Sequence, residues 1–276
     1  MNNSVNTNVG AMIALQNLNA TNAELASTQN RINTGKKVAS AKDNGAIWAI
    51  AQGQRADVRA LGAVRQSLDR GISAVDVAIA AGETVSDLLL QMKEKALAAS
   101  DLSLKTADRA ALNEDFMALR DQIASVVSNA EFNGINLLAA GSPGFSALAN
   151  ASGTSNLTVG AEVMSLSGAI VTLGTGQVIS TQTTASASLT LVDASIANVS
   201  AALARLGTKS KALATHASFV SKLMDTLEAG VGNLVDADLA KESARIQALQ
   251  TKQQLGVQAL GIANQAPQIL VNLFGR

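Results

Sequence analysis

Few residues in this chain could do covalent or metal chemistry. It has one histidine, His216, and no cysteine among 276 residues. A Ser–His–acid site would need His216 beside a nucleophile and a carboxylate. Its neighbours are Thr215, Ala217, Ser218 and Phe219, inside an apolar periodic segment, so it reads as a surface or seam-edge residue. One His and no Cys rule out a His-rich or thiolate metal centre. A carboxylate-only calcium loop needs clustered Asp residues and a Gly. Asp236-Ala237-Asp238 is too sparse for that and reads better as a helix start. Gly35-Lys36-Lys37 lacks the spaced glycines and the hydroxyl of a phosphate loop, and Glu114-Asp115 reads as ordinary helix surface. The expectation is therefore no catalytic residue, no cofactor and no metal, in a protein that is not an enzyme.

The elements have a different purpose. From Leu189 to Leu234 a heptad phase never slips. One set is Leu189, Ile196, Leu203, Ser210, Ala217, Met224 and Val231; the other is Val192, Val199, Leu206, Leu213, Val220, Leu227 and Leu234. Sustained 3-4 spacing is the coiled-coil signature, and a helix of that span is roughly 70 Å long at 1.5 Å per residue. Such a rod needs partners beside it. Val58, Leu61, Leu68, Ile72, Val75, Ile79 and Leu89 repeat the pattern from about Asp43 to Ala98, with Asp43 or Asn44 as cap. Gly53, Gly62, Gly71 and Gly82 inside this segment are expected to permit close helix approach. After a turn over 100–105, a third helix from Thr106 to about Ser128 carries Leu112, Phe116, Leu119, Ile123 and Val126 at the same 3-4 spacing.

The two ends are weaker. Leu18, Leu25 and Ile32 lie seven apart, but the partner positions Asn22 and Gln29 are polar, and Thr34-Gly35 predicts a helix stop. At the other end Leu239, Ile246, Leu249, Leu260 and Leu270 form an apolar face that Glu242, Gln253 and Gln254 interrupt. Gly256 and Gly261 weaken its interior, and Pro267 is expected to kink or end it. Between the helical arms, residues 141–187 are nearly uncharged and rich in Gly, Ser and Thr. Leu157–Val159, Ile170–Leu173 and Gln177–Ile179 lean towards strand, and 180–190 towards partial disorder.

Net charge is zero, without the basic stripe that nucleic-acid binding requires. Lys36-Lys37 and Lys209/Lys211 read as solvated surface. No secretory signal is visible at the start, and no run of about eighteen apolar residues predicts a membrane span. The reading is mainly α: a long antiparallel, coiled-coil helical bundle with discontinuous N- and C-terminal arms and a small β-hairpin-containing insert. The expected division is 1–42 with 236–276, then 43–140 with 188–235, then the insert 141–187. The expected packing positions are Leu18, Leu25, Ile32, Leu61, Leu68, Ile72, Val75, Leu206, Leu227, Leu239, Ile246, Leu249, Leu260 and Leu270.

Both ends then resemble a known family, the bacterial flagellins. Arg31-Ile32-Asn33-Thr34-Gly35 and Ser40-Ala41-Lys42-Asp43 are similar to its R-I-x-T-G and S-A-K-D signatures. Phe132-Asn133-Gly134-Ile135-Asn136-Leu137-Leu138 is similar to its F-N-G-x-x-L-L turn. Asp236-Ala237-Asp238-Leu239-Ala240 with Glu242, and Ala263-Asn264-Gln265-Ala266-Pro267-Gln268, resemble its C-terminal arm. The match spans roughly 1–140 and 190–276, and the short middle makes this a minimal form.

The resemblance implies a structural subunit that polymerises, with itself or with other flagellins, into the extracellular filament used for swimming. Its terminal helices would line a central channel, the longer helices would form the surrounding shell, and the insert would face outward. It implies type III export, with a filament cap, hook-junction proteins, an export chaperone and the export machinery as partners, and no nucleic acid or membrane. It also suggests O-glycosylation around Thr181, Thr183, Thr184, Ser186 and Ser188. The alternatives are a hook–filament junction protein of the same architecture and a secreted coiled-coil adhesin or effector. A filament-forming assay separates them.

Overall fold

The computed structural model describes residues 7–274, with side chains described as far as residue 265. The described elements run α1 (Val9–Thr34), α2 (Gly45–Ala99), α3 (Thr106–Asn129), β1 (Phe145–Leu148), β2 (Asn156–Val159), α4 (Gln182–Val235) and α5 (Leu239–Phe274). Packing divides the chain into a terminal unit, residues 1–56 with 226–276, and a central unit, 57–225. This division falls inside α2 and α4 rather than at the loops where 42/43 and 235/236 were expected.

Helix ends follow their cap chemistry. Asn8 Oδ1 accepts the Ala11 N–H at 3.0 Å to start α1, and Gly35 ends it in the left-handed region at φ 68°. Asn44, not Asp43, caps α2: its Oδ1 accepts the Ile47 N–H at 3.0 Å. At the far end of α2 the buried guanidinium of Arg109 donates to the carbonyls of Ala99 (2.8 Å) and Asp101 (2.7 Å). This places a cation where the helix dipole favours one and ties α3 to the last turn of α2. The two-residue Asn133-Gly134 turn has positive φ at both positions, as a tight hairpin requires. Asn136 follows it, donating to Val127 O at 2.7 Å and accepting the Leu138 N–H at 2.9 Å. The F-N-G-x-x-L-L motif is thus the device that ends α3 and turns the chain into the insert.

The central unit is built on the expected seams, with one change. Val192, Val199, Leu206, Leu213 and Val220 of α4 are fully buried, as are Leu61, Leu68, Val75, Leu89 and Met92 of α2 and Phe116 and Ile123 of α3. The other heptad set, Leu189, Ile196 and Leu203, is only half-buried. The fully buried neighbours are instead Ser188, Ser195 and Ala202, because the loop after β2 lies over them. Gln177 Nε2 donates to Ser188 Oγ at 2.8 Å, Ser188 Oγ donates to Val178 O at 3.1 Å, and the Thr172 N–H donates to Ser195 Oγ at 3.1 Å. Small side chains there admit backbone that a leucine would exclude.

Several expectations need correcting at this point. Residues 180–190 are ordered: Thr181 and Thr184 hydrogen-bond each other and open α4. Of the three β-leaning patches only Leu157–Val159 is strand. Its partner is Phe145–Leu148, while Ile170–Leu173 and Gln177–Ile179 pack as coil against helices. A run of apolar residues between glycines satisfies burial without a ladder partner. Gly71 and Gly82 do permit close approach, since a Cβ would strike the Phe145 ring at the first and Leu203 at the second; Gly53 and Gly62 face open space. Finally, α4 contains an 18-residue window of mean hydropathy 1.4, long and apolar enough to span a bilayer. That hydropathy accompanies the buried seam just described.

Candidate assembly site: the paired terminal arms

In the terminal unit α1 and α5 lie antiparallel, and the polar interruptions that weakened each seam meet one another. Gln253 Nε2 donates to Asn22 Oδ1 at 2.7 Å, Arg31 pairs with Glu242 at 3.3 Å, and Arg245 pairs with Glu24 at 3.3 Å. Gly256 leaves room for Leu18, whose Cδ1 would lie 3.3 Å from an added Cβ. Glu242 is the most committed of these groups. Its side chain is 11% exposed, and its Oε2 has no protein partner among the described residues. Loss of Arg31 would therefore strand a buried charge, a costly event.

The junction between the arms is a backbone clasp. Lys36 and Asp236 form an antiparallel bridge. The Ala237 N–H donates to Gly35 O at 2.9 Å, the Lys37 and Val38 N–H groups donate to Val235 O at 2.8 and 3.2 Å, and Lys37 Nζ donates to Asn233 O at 2.9 Å. Beneath it Val38, Ala51, Val231 and Val235 are buried with Ile47, Trp48 and Leu234 against them. Asp238 Oδ1 accepts the Ala240 and Lys241 N–H groups, both at 3.1 Å, so the acidic residue starts α5 as expected. Asp43 closes the preceding turn, its Oδ2 accepting the Ala39 N–H, the Ser40 N–H and the Ser40 hydroxyl at 2.9–3.1 Å. Those bonds, the Ser40 N–H first, hold its carboxyl below the ordinary 3.8. The carboxyl therefore favours this turn above that value and ceases to as pH falls through the lower folded pKa.

At the tips of the arms, Pro267 lies within α5, which continues through it to Phe274. Proline has no N–H for the carbonyl four residues back, that of Ala263. Asn8 Nδ2 donates to Ala263 O at 2.7 Å and fills the vacancy. One asparagine thus starts α1 with its oxygen and closes the gap in α5 with its nitrogen. Asn8→Asp retains the first function and loses the second. The variant is expected to keep α1 but to exchange amide hydrogens faster from about 255 onward, read by peptide-resolved hydrogen exchange on assembled protein. Unchanged exchange there would show that the bond does no work.

Each expected packing position can now be placed. Leu61, Leu68, Val75, Leu206 and Leu249 are buried; Leu18, Leu25, Ile32, Ile72, Leu227, Ile246 and Leu260 are half-buried. Leu239 is 49% exposed, and the side chain of Leu270 lies outside the described residues. Arg31, Glu242, Asn8 and Gln253 were passed over as partners because seams were sought in apolar residues alone. Complementary interruptions on two weak seams were the available signal. His216 sits at a seam edge as expected, its Nε2 2.8 Å from Ala149 O and its ring beside Phe219.

The fold and this clasp define a helical structural protein whose two sequence ends are made to pair. Comparison with known proteins agrees. Residues 5–142 match the bacterial flagellin N-terminal helical region and residues 189–274 the bacterial flagellin C-terminal helical region. The chain is 57% identical to flagellin FljK of Caulobacter vibrioides, over 99% of this chain and 98% of the relative. It is 37% identical to a flagellin of Brucella melitensis, over 98% of this chain and 99% of the relative. In fold it is similar to a putative flagellar hook-associated protein from Vibrio parahaemolyticus, with a TM-score of 0.56 at 17% identity, covering 70% of this chain and all of that one. The chain belongs to the bacterial flagellin family.

Proposed function

We propose that this flagellin polymerises through the faces that α1 and α5 leave uncovered when they pair with each other. The chain is a structural subunit of the flagellar filament, and what supports this choice of surface is burial. Along the 26 residues of α1 only Thr28 is fully buried, whereas Val9, Met12, Ile13 and Leu15 are about half exposed or more, Met12 reaching 62%. On α5 Leu239, Leu255, Val257 and Ile262 are exposed in the same way. Apolar surface on this scale marks an interaction site, and helices with weak seams gain stability from packing rather than propensity. Leu18, Leu25, Ile32, Ile246, Leu249 and Leu260 hold α1 to α5, and copies alongside complete the burial. The terminal arms then line the filament's inner channel, and the filament stands outside the cell. Subunits reach it through type III export, served by an export chaperone, the cap and the hook-junction proteins.

The test is seeded growth. Purified chain added to filament fragments should extend them, as seen by electron microscopy. Growth that stops after one layer would indicate a junction protein, and no fibre at any concentration would indicate an adhesin or effector.

O-glycosylation belongs to the same reading, now on fewer residues. Thr181, Thr183 and Ser186 are exposed. Thr184 is half-buried in the α4 cap, and Ser188, which is fully buried and hydrogen-bonded, is no longer a candidate. Protein from native filaments should exceed the bare 28.1 kDa, with the added mass mapping to those three residues. A native mass equal to the bare chain would refute the modification.

A further inference from the structure

The two hairpin strands treat their outer edges differently. The Ala149 N–H donates to Ser155 O at 2.9 Å, and the register pairs Leu148 with Asn156, Ala147 with Leu157, Ser146 with Thr158 and Phe145 with Val159. Hydrogen-bonded and non-hydrogen-bonded pairs alternate along an antiparallel ladder. The backbone groups of Leu148 on β1, and of Asn156 and Thr158 on β2, therefore point away from the partner strand. On β1 that edge is met in part: Ser67 Oγ of α2 accepts the Leu148 N–H at 3.2 Å, while Ser146, which the same alternation turns outward, is exposed. On β2 it is open. Asn156 and Thr158 are exposed, and their outward groups have no partner among the described residues.

Beside the open edge runs a groove. Val159, Gly160 and Glu162 face Arg205, Thr208 and Lys209 of α4 across a cavity of about 430 Å³. Leu157 faces Thr208, Lys211, His216 and Phe219 across a second of about 480 Å³, and Thr208 lines both. The groove offers apolar surface in Leu157 and in Phe219, the latter 55% exposed. Its charge is basic. Glu162 is consumed by a two-pronged pair with Arg205 at 2.8 and 2.6 Å. Lys209 and Lys211 are exposed and have no ion-pair partner among the described residues. Ser210 between them turns the other way, to Asp76 of α2 at 3.3 Å.

We propose that β2 is a docking strand for another protein: an extended acidic segment whose groove-facing row carries both apolar and acidic side chains adds to it as a third strand. Backbone pairing to Asn156 and Thr158 supplies the affinity. Period-2 alternation sends one row of side chains into the groove, where its apolar members meet Leu157 and Phe219 and its carboxylates meet Lys209 and Lys211, which sets the preference for acidic partners. An open strand edge of this kind otherwise invites indiscriminate pairing. The two lysines provide the selection.

The probe is a synthetic heptapeptide with threonine at alternate positions and glutamate and valine sharing the other row, titrated against the full chain. Its lysine–valine counterpart and an acidic version N-methylated along its backbone are the controls. The acidic peptide should bind and slow amide exchange at Asn156 and Thr158, while both controls fail. Lys209→Glu with Lys211→Glu should weaken binding by about tenfold or more. Thr158→Pro removes an outward N–H that the β1–β2 ladder does not use, a position where an edge strand tolerates proline. It should abolish binding while Leu157 and Val159 stay protected. Absence of binding, equal binding by the basic or N-methylated peptide, or unchanged exchange at Thr158 would overturn the proposal. So would protection of Thr158 that appears on polymerisation without peptide, which would assign the edge to another copy of this chain.

Discussion

A chain ending at Ala237 should remain folded in its central unit and form no filament. The cut removes α5 entire, and with it Arg245, Gln253, Leu249 and the carbonyl that Asn8 caps. What remains of the terminal unit is α1, whose one fully buried residue, Thr28, is 2% exposed in the intact chain. An isolated helix of that length with polar interruptions is marginal in water, so α1 should melt as well. The central unit keeps its own seams, so thermal unfolding should still be cooperative and helix content should fall by about the loss of α1 and α5. Electron microscopy of the truncated chain, alone and with seeds, decides the matter. Filaments of normal diameter would mean that assembly does not run through the terminal arms.

Leu206→Asp should damage the fold itself. Leu206 is 1% exposed in the middle of the α4 seam, in line with Val199 and Leu213. Aspartate there removes a buried side chain, worth about 2–5 kcal/mol with its cavity, and introduces a carboxylate that is buried without a partner or must neutralise by taking up a proton. The sum rivals the roughly 5–15 kcal/mol that holds a typical domain, so the central unit should be unfolded or molten at neutral pH. It should recover partly in mild acid, where the aspartate is neutral. Leu203→Asp, three residues away and half-buried, should cost less. Circular dichroism with thermal melts measures both. Equal damage at the two positions would mean that the seam is not where the buried set places it.

Both experiments turn on a distinction that runs along the whole chain. Helix existence and type, and several helix ends, were legible because they are local. The 3.6-residue period of apolar side chains, Asn44 ahead of its helix, Gly35 after one and Asn133-Gly134 in a turn each act within a few residues. The absence of any His or Cys cluster is composition alone and needed no fold.

What the tertiary structure decided was every choice between residues of comparable local merit. Leu189, Ile196 and Leu203 satisfy a heptad better than Ser188, Ser195 and Ala202. The serines and the alanine are nonetheless the buried ones; the loop that leads into α4 folds back on the helix and needs narrow side chains and hydroxyl partners at Ser188 and Ser195. Pro267 predicts a kink or an end on local rules. The helix continues because an amide from residue 8 reaches the carbonyl that the proline orphans. Asn22, Glu242 and Gln253 looked like flaws in two separate seams and are bonding partners once the ends lie antiparallel. Hydrophobic periodicity is a property of one helix, whereas polar complementarity belongs to two. The sequence by itself determined that there are long helices, though α4 starts at Gln182, ahead of the heptad that announces it. Which of their faces meet, and what satisfies the polar groups caught between, depended on tertiary contacts, in the terminal arms between residues more than two hundred positions apart.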